Sequence, residues 1–96
     1  MNIDAFRASL DGAEPPAGIP QALAGLWWDA RGDWTKAHQC AQAQPDADGN
    51  ALHAYLHRKE GDLTNAGHWY ARAGREMPSG PLAGEWDELL AAFLPA

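Results

Sequence analysis

Two Gly-Asp pairs, Gly32-Asp33 and Gly61-Asp62, stand 29 residues apart, and the residues around them recur in the same order. Gly25 falls on Ala54, Trp28 on His57, Trp34 on Leu63, Thr35 on Thr64, Ala37 on Ala66 and Ala41 on Tyr70. A glycine stops a helix by taking a left-handed conformation. An aspartate then caps the next helix, because its carboxylate accepts from free N–H groups. Each unit therefore reads as helix, corner, helix. Repetition at this period predicts stacked helical hairpins.

The rest of the chain agrees with this pattern. Ile3, Phe6 and Leu10 recur at helical spacing, so a short helix is expected over 3–10. The stretch DGAEPPAGIP is a loop. Pro20 suits the first turn of a helix through QALAGLWWDAR, in which Leu23, Trp27 and Ala30 share a face. Trp34, Ala37, Ala41 and Gln44 form the stripe of the second helix, which Pro45 ends. Asp46 or Asp48 caps a third helix, running through Leu52, Tyr55 and Leu56 to Glu60. Leu63, Ala66, Tyr70, Ala73 and Met77 make the stripe of a fourth, with Gly74 marking an early end. Leu82, Trp86, Leu89, Leu90 and Phe93 form the apolar face of the last. Strand signals are absent. Gly25 opposite Ala37, and Ala54 opposite Ala66, let the paired helices approach closely.

At these positions the chain resembles the tetratricopeptide-repeat family. The second unit carries Ala54, Gly61, Leu63, Ala66, Tyr70, Ala73 and Pro78 at that family's spacing. The first unit departs from it, with Ala41, Gln44 and Gly49 where an aromatic, a small residue and a proline are usual. The offset is also shorter than the usual ~34 residues. The resemblance covers about residues 20–78. It implies an all-α, right-handed array of two antiparallel helical hairpins, at about 20–45 and 48–77. Terminal helices cap this single domain of residues 1–96. It also implies a protein- or peptide-binding scaffold. The stretch AYLHRKEGD with NA and WYARAG resembles a further group of small proteins, which adds no mechanism.

Three of the four histidines lie between His53 and His68. His53 and His57 are four apart and share a helix face, with Glu60 three further on. His68 is expected on the following helix. Imidazoles with a carboxylate are sound zinc ligands. However, HAYLHRKE has no glutamate directly after the first histidine, as HExxH requires. His57 takes the place of Trp28 in the other unit, which favours a partly buried structural ring. His38 sits one position from the equivalent of His68, so both are expected to face outward. Cys40 reads as an inert, buried thiol. Ser9 and Ser79 lie outside any nucleophile motif, and no glycine-rich phosphate loop occurs. Asp29, Glu60, Arg31 and Arg58 read as surface ion pairs.

A net charge of −6 argues against a nucleic-acid or anionic-membrane partner. One cysteine excludes an internal disulfide and fits a reducing cytoplasm. No signal peptide or membrane-spanning run is evident. The favoured function is a non-catalytic module that binds a protein, a peptide or its own copy, without a cofactor. Its contact set is Trp28, His53, His57 and His68, and its acidic surround favours a basic or neutral partner. A second reading is a metal- or small-ligand-binding protein, in one form a hydrolase, using His53, His57, Glu60 and His68. A third is a homodimerisation module.

Overall fold

The computed structural model describes residues 1–95, which form six helices and no strand. They are α1 (Ile3–Ser9), α2 (Gln21–Ala30), α3 (Trp34–Ala43), α4 (Ala47–Glu60), α5 (Leu63–Ala73) and α6 (Leu82–Phe93). Aspartates start three of them. The carboxylate of Asp33 accepts from Lys36 N at 3.0 Å, that of Asp46 from Gly49 N at 2.9 Å, and that of Asp62 from Asn65 N at 3.2 Å. Gly32 and Gly61 turn the two corners at φ +80° and +88°, where a side chain would be strained.

The fourth stripe is shorter than the spacing suggests. Gly74 takes φ +71° and closes α5 at Ala73, so Met77 lies outside the helix and is exposed. Leu63, at the first position of α5, is also exposed. Ala66 and Tyr70 are the buried residues of that stripe.

Helix α4 is the hub, packing against α2, α3, α5 and α6. Small residues set the helix contacts. A Cβ at Gly25 would lie 2.2 Å from Leu52 Cδ2 and 3.2 Å from Ala37 O. Ala54 and Ala66 are both fully buried beside Tyr70. Gly49 is needed for another close approach, because a Cβ there would meet Gln44 O at 1.7 Å. Phe6 brings α1 onto Trp86 of α6, ring centroids 6.2 Å apart, and both rings join the core around Leu52 and Leu56. Trp27 and Trp28 divide their roles as their angular separation demands. Trp27 is fully buried; Trp28 is half-buried, edge-on to it at 4.9 Å.

Two buried carboxylates link the helices. Asp29 accepts from Tyr55 Oη at 2.8 Å and Lys59 Nζ at 2.9 Å. Glu85 accepts from Tyr70 Oη at 2.6 Å and Arg58 Nη1 at 2.8 Å. Asp29 and Arg58 are thus interior partners rather than surface ion pairs, since Asp29 and Glu85 are each only 5% exposed. Burial, with the adjoining carboxylate, pushes both tyrosine hydroxyls above their ordinary range. Arg7, Arg31, Lys36 and Arg72 lie over the rings of Trp86, Trp27, Trp28 and Trp69. Arg31 also donates to Leu10 O and Gly12 O, which pins the first loop. No helix among the described residues is long and apolar enough to cross a membrane.

Candidate functional site: an imidazole cluster between α3 and α4

The four-residue spacing on α4 brings His53 and His57 to one side, ring centroids 4.8 Å apart. Both are nearly buried. His38 enters from α3, where Ala37 and Ala41 seat the helix against its neighbours. His38 does not face outward. Its Nε2 lies 2.9 Å from His53 Nε2, and its ring centroid 5.2 Å from that of His57. A ligating nitrogen from each of the three lies within 4.8 Å of the others.

Tryptophans hold the cluster in place. Trp34 stacks on His38 at 4.8 Å and 12° between planes, and meets His57 edge-on at 5.9 Å. Its Nε1 donates to Leu56 O at 3.0 Å, which fixes the indole. Trp69 stacks on His53 at 3.9 Å. Glu60 Oε1 lies 2.6 Å from His57 Nδ1. An ionised carboxylate there takes the Nδ1 proton as its donor and leaves Nε2 with the lone pair.

Burial above all, with the neighbouring His38 and His57 adding to it, pushes the pKa of His53 down to about 4. Burial also lowers that of His38, with His57 adding to the effect and Glu60 opposing it. At neutral pH these two rings are uncharged, the form in which imidazole binds metal. Tetrahedral zinc with bonds of 2.0–2.1 Å places its nitrogens ~3.3 Å apart. The 2.9 Å between His38 and His53 is a few tenths short of that spacing.

Of the residues singled out from sequence, His53, His57 and Glu60 come together. His68 does not join them. It is exposed on α5, and its ring contact is with the edge of Trp69 at 5.6 Å. Trp28 makes its ring contacts with Trp27 and Lys36 rather than with the imidazoles. Cys40 is half-buried rather than buried, and burial raises its thiol above the usual range. The residue missed was His38. Its signal was the stretch WTKAH, which sets two rings four apart as HAYLH does on the next helix. A second group, His57, Glu60 and Asp62, also converges within 4.8 Å. Its two carboxylates are exposed, and Asp62 is engaged in capping α5. No protein-family model, curated protein or solved structure matches the chain.

Proposed function

We propose that the chain binds a divalent transition-metal ion through His38, His53 and His57, with Glu60 orienting His57 from behind. The observation that carries this reading is the convergence of the three rings from two helices, two of them Nε2 to Nε2 at 2.9 Å. Uncharged nitrogen donors suit zinc, copper, nickel or cobalt better than calcium or magnesium. A carboxylate on the far nitrogen of a ligating histidine is a common supporting partner in such sites. Three protein ligands leave a fourth position for water or a ligand, the pattern of catalytic rather than structural zinc.

The test is the melting temperature of chelator-treated protein with and without excess Zn²⁺. An ion that binds only the folded state, at about a hundred times its dissociation constant, stabilises by ~2.7 kcal/mol. In a domain this small that is a rise on the order of 10 °C. Replacing both His53 and His57 by Ala should remove the rise. Its absence in the unaltered chain would overturn the reading.

The scaffold is read as a tetratricopeptide-like stack, which Gly25 against Ala37 and Ala54 beside Ala66 support. That architecture keeps a protein-binding role open as a second reading, and one observation favours a basic partner. Of seven Lys and Arg residues, four lie over tryptophans and two bind buried carboxylates. Among the described residues Asp87 is the exposed carboxylate paired with an arginine, Arg7, and the other Lys/Arg pairs go to buried carboxylates, so most acidic side chains on the surface have no Lys or Arg partner. Salt-sensitive binding of a lysine-rich peptide, with none of a glutamate-rich one, is the expected result.

A further inference from the structure

The spacing of two donor nitrogens fixes the angle they make at a bound ion. With bonds of about 2.0–2.1 Å, they stand ~3.3 Å apart at a tetrahedral angle and ~2.9 Å apart at a right angle. His38 Nε2 and His53 Nε2 are 2.9 Å apart, the right-angle spacing. Two neutral imidazoles sharing a hydrogen bond hold the same distance, so the pair keeps it before any ion arrives. Both rings are also restrained from outside. His38 lies flat against Trp34, whose Nε1 donates to Leu56 O, and His53 lies flat against Trp69 at 3.9 Å. Widening the pair to the tetrahedral spacing slides both rings across the indoles they stack on.

The third ring completes the pattern. The ring centroids of His38, His53 and His57 form a near-equilateral triangle with sides of 4.6, 4.8 and 5.2 Å. Three donors at right angles to one another occupy one face of an octahedron. We infer that the cluster is a six-coordinate site that selects nickel(II) over zinc, with the imidazoles on one face and the three opposite positions left to water. This rests on the metal reading and names the ion of the same site. Zinc has no d-electron preference and settles as four-coordinate and tetrahedral when protein side chains hold it. Nickel(II) favours right-angled donor sets. Copper(II) heads the affinity order for nitrogen sites in general, so it does not discriminate. On loading, the proton shared by the two Nε2 atoms moves to Nδ1 of the ring that carried it. Both Nε2 lone pairs then face the ion, and each ring stays neutral.

The experiment melts the full, untagged, chelator-treated chain in equal excess of Ni²⁺ or Zn²⁺. A dissociation constant about tenfold tighter for Ni²⁺ is expected, which lifts its melting temperature above that with Zn²⁺ by a further 5 °C or so, on the order expected for a domain of this size. A second readout is the visible spectrum of the Co²⁺-loaded chain after unbound ion is dialysed away. Six-coordinate cobalt absorbs weakly and four-coordinate cobalt intensely, so a weak band is expected. A zinc rise equal to or above the nickel rise overturns the six-coordinate assignment, and so does an intense cobalt band; either leaves the metal reading standing. A nickel advantage that survives His38→Ala also overturns the assignment, because the right angle would then play no part in it. No rise with either ion removes the metal reading, and this assignment with it.

Discussion

The Nε2 atoms of His38 and His53 face each other at 2.9 Å across the contact between α3 and α4. Neither helix alone would suggest the pairing. His38→Ala should abolish the zinc-dependent rise in melting temperature, whereas His68→Ala should leave it intact, since His68 is exposed on α5. The set His53, His57, Glu60 and His68 requires the opposite ranking. Thermal melts of the two variants decide between them.

Acid should weaken the metal-free fold. The pKa of His53 is about 4 in the folded chain and ~6.5 when unfolded. Between those values the unfolded chain binds more protons, so stability falls as pH drops from about 6.5 towards 4. The loss attributable to His53 is roughly 2–4 kcal/mol. His38, also lowered, acts in the same direction. Asp48, whose carboxyl is raised by burial and by Asp46, opposes the trend only near the bottom of the window. Urea unfolding of chelator-treated protein across this range measures the slope, and His53→Gln should flatten it.

Two glycines in helix interiors should respond oppositely to alanine. At Gly25 the new Cβ meets Leu52 Cδ2 at 2.2 Å, and overpacking of this kind costs ~1–3 kcal/mol. At Gly67 nothing lies within 4 Å, and the gain in helix propensity is up to about 1 kcal/mol. Denaturant midpoints of Gly25→Ala and Gly67→Ala should move apart. Similar shifts would argue against a close helix contact at Gly25.

Glu85→Ala should destabilise strongly. It strips Arg58 and Tyr70 of their shared acceptor, and Arg58 lies largely inside the fold. Leaving a buried charge without its partner costs on the order of 3 kcal/mol. Arg58 retains its bond to Gly80 O, which limits the loss. Glu85→Gln, which keeps an acceptor oxygen, should cost less. Chemical denaturation of both variants gives the comparison.

Local chemistry made the helices readable. The corners at Gly32-Asp33 and Gly61-Asp62 stand where the dipeptides place them, because caps depend on neighbours in the chain. The stripe of α6 and the burial of Phe6 follow apolar spacing in the same way. What was not legible depends on the register between helices. His38 turns inward because α3 docks on α4 with that side of its stripe facing His53. Asp29 and Arg58 look like surface charges until the packing of α4 brings Tyr55 and Lys59 to Asp29 and Arg58 to the buried Glu85. Leu63 and Met77 fit the period of α5 but lie at and beyond its ends, where no neighbour covers them.

Helix α4 carries Tyr55, Arg58 and Lys59 on the side of the buried carboxylates, and His53 and His57 on the side of the rings. Core helices of this kind open at free energies close to that of global unfolding. Two of the three imidazoles therefore cannot be released by a loop motion. His38, on α3, is the least enclosed of the three rings, half-buried where His53 and His57 are buried. The enclosure around the cluster is therefore thinnest on the α3 side.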